Sequence, residues 1–552
     1  MKKLSNFFYF RKRYWIPGGF FLFLLLTWII VPYLMQTVLG LAFQMLYLVG
    51  FMAIQVIAWF GIFFYYLAGR IRLTKIMPGD LDLLWDDYRG QPQVVEKAYA
   101  WVNYLKGQRE FEEMGGEYEP GILMLGPPGS GKTYLAKVMA SEAGVPFVSV
   151  EANSLLGTFI GIGPLKVSRI FSNCRNLATE YGSCILFIDE IDAIGGARAG
   201  MDPRGFQGWL KRLAAMPMMG GMGGAILNTI LSEIDGFTEK RSRLWRIRRK
   251  FARWFGFSEP KWTVPKVMVI GSTNRPDILD PALVRSGRLG RKLLVDLPNI
   301  EGLRDIAQYY LDKIRHDEYL TAERVSLMMA GRTPSDVRQV LRKGAPQLAT
   351  IEGADKIYYR HFQRALAETT MGDKQPLPLS EVERECLAWH EAGHAITLLA
   401  VAGDRLKPVF LTTERYGRAL GHMFPVEAVQ WQIGRTQTMI EAAVCNFMAG
   451  MVAEEVFLGE RHDSVGGDGE AIRRLIEQLE RTLMLGTSMF HSDNKRRRAK
   501  EEKYKELLEH TRGILERNRA AEEALVAVLM EKKELTESQI LEATGALIVK
   551  EN

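Results

Sequence analysis

The chain has 552 residues, 47% of them hydrophobic and 24% charged, with a formal net charge of +7. That length and apolar content leave room for two or three domains with substantial cores and argue against wholesale disorder. Cys174, Cys184, Cys386 and Cys445 stand without paired spacing, which argues against a disulfide framework, and the basic residues gather at the N-terminus and in short runs without zinc-finger spacing or RNP-like aromatics, so nucleic acid is not an expected partner.

Between Arg13 and Arg70 there is no Lys, Arg, Asp, Glu or His. A helix needs roughly 20 residues to cross the hydrocarbon core, so this run predicts two, at about Ile16 to Met35 and about Leu46 to Leu67, turning near Pro32. Lys2, Lys3, Arg11, Lys12 and Arg13 on one flank and Arg70, Arg72 and Lys75 on the other then place both chain ends in the cytoplasm. The expected layout is a basic cytoplasmic N-terminus over 1-15, two transmembrane helices over 16-69 and a linker over 70-84. The lipid bilayer is the partner this layout implies.

From Gly121 an apolar strand runs into a glycine-rich loop and then a helix beginning near Lys132. Gly126, Pro127, Pro128, Gly129, Ser130, Gly131, Lys132 and Thr133 form a complete phosphate-binding loop: glycines let backbone N–H groups converge on phosphates, Lys132 reaches the outer phosphates and the Thr133 hydroxyl suits Mg2+. The next buried-strand pattern starts at Cys184 and ends in Asp189 and Glu190, at the edge where parallel sheets place chemistry. Asp189 is the expected Mg2+ partner and Glu190 the activator of water. Val267 to Ile270 forms a further strand that delivers Asn274 to the same edge, and Arg285, Arg288 and Arg291, three apart, offer guanidinium groups to a transferring phosphoryl.

Between Glu190 and Asn274 lie two unusual stretches. Residues 200–224 carry Met201, Met216, Met218, Met219 and Met222 among glycines, as a mobile loop would. Residues 240–261 place Leu244, Ile247, Phe251, Trp254 and Phe255 at helical spacing among eight basic residues from Lys240 to Arg253. That pattern predicts an amphipathic helix for anionic lipid or protein contact, or equally a stripe packed on the chain's own surface.

Further on, His390, Glu391 and His394 form a HExxH motif. On a helix, residues four apart share a face, so the two histidines can hold one zinc while Glu391 acts as general base. The third ligand is expected from the segment Gly466-Gly467-Asp468-Gly469-Glu470, which offers Asp468 and Glu470.

This order of segments resembles the FtsH-type family of membrane-bound AAA+ zinc metalloproteases, over most of the chain from Trp85 to roughly Ile540. The resemblance implies an α/β AAA+ ATPase with helical lid, followed by a mainly α-helical zinc metalloprotease domain and preceded by a transmembrane helical hairpin. It places the AAA+ large subdomain at 85-300, the lid at 301-372 and the protease domain with its C-terminal helix at 373-552. ATP, Mg2+ and Zn2+ are the implied cofactors. The implied function is ATP-dependent unfolding, translocation and zinc-dependent endoproteolysis of membrane and cytoplasmic proteins, in protein quality control; the alternative is a membrane-bound unfoldase or remodelling scaffold with an inactive protease domain. Carried over by position, Lys132 and Thr133 bind nucleotide, Asn274 is a sensor, Arg288 and Arg291 are arginine fingers acting on a neighbouring subunit, and Phe159, Ile160 and Gly161 are a pore loop gripping substrate. A homohexamer, or a hetero-hexamer with a related subunit, follows from the same likeness, as does a bacterial inner membrane or organellar equivalent, with catalytic domains on the cytoplasmic side. Arg415 to Gly421 resembles a strand beside the protease cleft, and Ala453-Glu454-Glu455 a second acidic helix. The chain departs from the pattern in lacking a domain between the spans, in Gly290 for the usual Asp, in the lid opening Arg332-Thr333-Pro334-Ser335-Asp336, in the two insertions and at the third zinc ligand, where Asp is usual and where counting back from Gly486 without a gap places Glu470, with Asp468 two residues early.

Overall fold

The structure, a computed structural model, describes residues 19, 21–28, 41–69, 73–106, 114, 120–156, 162–195, 221–239, 254, 266–375, 377–401, 406–417, 419–427, 435–462, 466–486 and 492–550. Two compact units divide the chain, one gathering Met1–Leu73, Asn153–Ser172 and Met201–Ile230, the other Thr74–Ala152, Asn173–Gly200 and Leu231–Asn552. In the first unit a helix covers Leu41–Gly69, and Lys166 Nζ donates to the Ser154 carbonyl at 3.0 Å.

The membrane hairpin expected from composition is corrected here. Among the described residues no helix is long and apolar enough to cross a membrane. The absence of charge from a sequence run therefore did not translate into two spanning helices. The transmembrane element of the expected fold and the two-span integral-membrane location, with its cytoplasmic orientation, are withdrawn with it. What stands is an AAA+ ATPase fold with a helical lid and a mostly helical C-terminal protease domain. Nearly all of the basic amphipathic stretch 240–261, Trp254 excepted, lies outside the described residues, as does 200–220 of the methionine-rich stretch.

In the second unit, six strands form one sheet: β1 (Thr74–Ile76), β2 (Gly121–Leu125), β3 (Phe147–Glu151), β4 (Ser183–Asp189), β5 (Lys266–Thr273) and β6 (Arg291–Leu294), in the order β1-β3-β4-β5-β2-β6. All pairings are parallel except that of β1 with β3. The central strands read as continuous apolar runs because helices cover both faces; Ile122, Ile185, Phe187, Met268 and Ile270 are fully buried. The crossover order puts the C-terminal ends of β2, β4 and β5 side by side, which is where Gly126, Asp189 and Asn274 emerge.

The lid packs helices from Ile300–Leu311 to Tyr359–Met371 around Leu303, Val340, Leu341 and Phe362. Asn299 caps the first, accepting from the Gly302 N–H at 2.8 Å. The atypical lid opening is a capping box: Thr333 and Asp336 exchange side-chain and backbone hydrogen bonds at 3.2 and 3.0 Å, with Pro334 in the first turn. Local chemistry thus starts this helix firmly despite its unfamiliar sequence.

The protease domain adds β7 (Lys374–Gln375), β8 (Leu406–Tyr416), β9 (Ala419–Glu427) and β10 (Glu534–Thr536), all paired antiparallel with β8. The HExxH helix, Glu381–Val401, is buried from His390 to Ala400 and packs against the Gln437–Ala453 helix. Small residues permit the close approach. A Cβ on Gly393 would lie 2.7 Å from the Ala453 methyl, and one on Gly450 would lie 2.5 Å from the His390 ring. Gly450→Ala is therefore expected to cost about 1–3 kcal/mol by overpacking and to lower the denaturant midpoint, while Gly467→Ala, with open space around its Cβ, shifts it little. Equal midpoints for the two variants would contradict this packing.

Candidate nucleotide cleft and metal centre

The loop between β2 and the Lys132–Ala143 helix holds Gly126, Gly129 and Gly131 at φ of +155°, +77° and +98°. Gly126 is obligatory on space as well, since its Cβ would fall 1.9 Å from the Val295 carbonyl oxygen. Lys132 Nζ donates to the Gly126 and Pro127 carbonyls, both at 2.8 Å. Burial lowers its pKa, against the pull of Asp189 and Asp192. Thr133 Oγ1 donates to Asp189 Oδ2 at 3.1 Å, and the Ser272 hydroxyl donates to Asp189 Oδ1. A hydroxyl and a carboxylate side by side beneath a phosphate loop are the donor set that Mg2+ prefers. Glu190 takes a left-handed φ of +52° at the strand end, a conformation that non-glycine residues adopt mainly where function over-determines it.

Gly129, Lys132, Thr133, Asp189 and Glu190 line a cleft of about 680 Å3 together with Asn274 and with Tyr309, Tyr310, Lys313, Arg338 and Arg342 of the lid. The lid residues escaped sequence reasoning, although Arg338 and Arg342, four apart after the Thr333 cap, were a readable signal. The Ser335 N–H donates to the Gly129 carbonyl at 3.3 Å, tying the lid to the loop. Arg288 and Arg291 do not line this cleft. Arg288 instead forms a two-pronged pair with Asp235, Nε to Oδ1 at 2.9 Å and a terminal nitrogen to Oδ2 at 2.8 Å. Phe159, Ile160 and Gly161 lie outside the described residues.

In the protease domain, His390 Nδ1 bonds Glu454 Oε1 at 2.7 Å and His394 Nδ1 bonds the Asn446 carbonyl at 2.6 Å. A carbonyl only accepts, so His394 carries its proton on Nδ1, leaving a lone pair on Nε2. Glu454 is buried, yet hydrogen bonds from His390 and the His462 N–H outweigh burial and hold its carboxyl below the usual range; it fixes His390 in the same way. The two Nε2 atoms then face each other at 3.2 Å, and Asp468 Oδ2 lies 3.4 Å from one and 3.5 Å from the other. Three potential ligand atoms converge on one point. Ligands at 2.0–2.2 Å around a tetrahedral zinc stand about 3.3 Å apart, so this trio fits the ion. Among the described residues it is the group of His, Cys, Asp and Glu able to hold a metal. Burial opposes charge on His390, but Asp468 and Glu454 push its pKa up to about 10: the pocket demands positive charge.

Glu470 does not join the trio. The helix reaches back to Gly466, and its inner face runs through Asp468, Ile472, Leu475, Ile476 and Leu479, whereas Glu470 is exposed. Residues two apart on a helix point to different sides, so only one of the two acids can face the histidines. The expectation of Glu470 is corrected to Asp468, and extending the apolar stripe back by four from Ile472 would have found it. Glu454, Asn446 and His422 were also missed as neighbours of the centre; burial pushes His422 down to about 4, keeping it neutral. Glu391, buried, has its pKa raised by burial against the pull of both histidines. Strand β9 closes over it at Gly421, φ +68°, where a Cβ would lie 2.8 Å from Glu391 Oε1.

Residues 122–297 match the ATPase family associated with various cellular activities (AAA), and residues 378–488 match peptidase family M41. Over 402 residues the chain is 31% identical to the mitochondrial inner membrane m-AAA protease component yta12 of Schizosaccharomyces pombe, covering 71% of this chain and 45% of that protein. It is 30% identical over 400 residues to the ATP-dependent zinc metalloprotease FtsH 2 of Bdellovibrio bacteriovorus, covering 71% and 57%. For FtsH 2 of Methylacidiphilum infernorum the identity is 31% over 408 residues, covering 72% and 56%. The chain thus spans about half the length of the curated relatives it matches. With the AAA match over the phosphate cleft and the M41 match over the histidine-aspartate trio, in that order, the chain belongs to the family of FtsH-type AAA+ zinc metalloproteases.

Proposed function

We propose that the protein uses ATP hydrolysis to unfold and translocate polypeptides and cuts them by zinc-dependent endoproteolysis. The observation that carries this reading is the convergence of His390, His394 and Asp468 on one point beside a buried Glu391. An inactive protease domain has no need to hold two imidazoles and a carboxylate on one point with outer partners, Glu454 and the Asn446 carbonyl, that fix the rings.

In the motor, Lys132 turns from the loop carbonyls to the outer phosphates, Thr133 and Asp189 hold Mg2+, Glu190 orients the attacking water and Asn274 positions it. Arg288 and Arg291 serve a neighbouring subunit's nucleotide in a ring of six, as homohexamer or mixed ring; their place away from their own cleft supports this. Phe159, Ile160 and Gly161 grip the moving chain. The division into 85-300, 301-372 and 373-552 follows the same reading.

In the protease, His390, His394 and Asp468 hold zinc, Glu454 and Asn446 keep the imidazoles in the binding tautomer, and β9 offers an edge beside Glu391. Bound zinc supplies a water of lowered pKa and polarises the peptide carbonyl. Glu391, buried beside the trio, would serve as general base toward the attacking water and as general acid toward the leaving amine.

Metal analysis of purified variants checks the ligand set: Asp468→Ala is expected to lose zinc and Glu470→Ala to keep it. Zinc retained in Asp468→Ala and lost in Glu470→Ala would reverse the assignment. Glu391→Gln keeps zinc and ATPase activity while cleavage of a loosely folded reporter falls about 10²–10⁴-fold; cleavage at the parental rate would remove Glu391 as base. Glu190→Gln is expected to bind ATP but turn it over slowly and to stop degradation of that reporter, and unchanged ATP turnover would defeat the role given to Glu190.

A further inference from the structure

A second groove opens between the helix that carries Asp468, Gly466–Arg481, and the following helix, Asp493–Arg517. Its volume is about 480 Å3; Ile472, Ile476 and Tyr504 line it together with Arg473, Arg497 and Lys500. The groove starts at Gly469, next to the metal-facing Asp468, and extends along the helix to Glu477. That distance is about 12 Å at 1.5 Å per residue, close to the reach of about four residues of extended peptide at 3.3 Å each.

The charge on its walls is unbalanced. Glu477 pairs with Arg481 at 3.9 Å and Glu501 with Lys505 at 3.6 Å. Arg473, Arg497 and Lys500 form no ion pair with any described residue. Two of these cations sit in a basic run, Lys495 to Lys500, near the N-terminal end of its helix, where the backbone dipole disfavours positive charge. Arg496 in that run is tied to Glu480 and Asp493; Arg497 and Lys500 are not, so helix stability does not account for them. Apolar and cationic groups in one groove suit an extended peptide, whose alternate side chains point to opposite faces.

We propose that this groove is a substrate subsite for acidic residues, taking Asp or Glu side chains up to four positions from the bond that is cut. The proposal rests on the protease reading above and gives that site a preference among polypeptides.

The test uses the full chain and two short peptides that differ only in carrying Glu or Gln at the third and fourth positions from the cleaved bond, mapped by mass spectrometry. The expected ratio of kcat/KM, Glu peptide over Gln peptide, is about tenfold at low salt, falling as ionic strength rises, and approaching one in the double variant Arg473→Gln/Lys500→Gln. Equal kcat/KM for the two peptides in the parent chain would overturn the subsite while leaving the protease reading intact. A binding measurement keeps the two readings apart: anisotropy of the labelled peptides on Glu391→Gln is expected to show the same tenfold preference, lost when Arg473 and Lys500 are also replaced. If neither peptide is cut by the parent chain but that preference holds, the protease reading fails and the subsite stands. If Arg473→Gln/Lys500→Gln instead dissociates the assembly in sedimentation, the groove belongs to contact between copies and the proposal falls.

Discussion

Two imidazole nitrogens held 3.2 Å apart with the Asp468 carboxylate beside both are an arrangement that calls for a cation, a proton or a metal ion, among them. Every neighbouring element serves to impose it. The Asn446 carbonyl and the Glu454 carboxylate take the Nδ1 protons, Gly393 and Gly450 let the two helices come close enough for that, and Asp468 adds a carboxylate where the nitrogens point. Glu391, Glu454 and Asp468 together bring three carboxyl groups around the two rings. A dication resolves this concentration of negative charge, and the ligands' hydrogen-bonded partners set their orientation before it binds.

The nucleotide cleft is organised on a comparable principle at Asp189. Its two oxygens accept from Thr133 and Ser272, so the carboxylate is already aimed beneath the loop. The parallel sheet supplies the placement, because the ends of β2, β4 and β5 must lie together in this strand order. The lid completes the cleft through tyrosines and arginines from a separate core, tied to the loop by a single backbone hydrogen bond at Gly129. That lid core also takes in Val409, Phe410, Tyr416 and Phe424 of β8 and β9, and Gln363 donates to the Val409 carbonyl at 2.8 Å, so the lid is packed to the protease sheet.

Much of this was legible in the sequence because the chemistry is local. The phosphate loop, the apolar strand ending at Asp189 and the i,i+4 histidine pair each fit within one element, and each sits where its spacing implied. The third metal-facing acid was misread because it depends on helix phase. Once the helix starts at Gly466, Asp468 falls on the buried stripe and Glu470 does not. Glu454, Asn446 and the lid arginines depend on how elements meet, which one sequence does not encode in any short spacing. The uncharged N-terminal run was read as two spans from composition alone, and among the described residues no helix is long and apolar enough to cross a membrane.

The most direct test of this account is zinc K-edge X-ray absorption on the full chain. Two imidazole nitrogens and oxygen ligands at about 2.0–2.2 Å, without sulfur near 2.3 Å, are the expected first coordination sphere, and Asp468→Ala should abolish the signal through loss of zinc. A sulfur shell, which would bring in a thiol such as Cys386, or a sphere with one imidazole, would contradict the centre described.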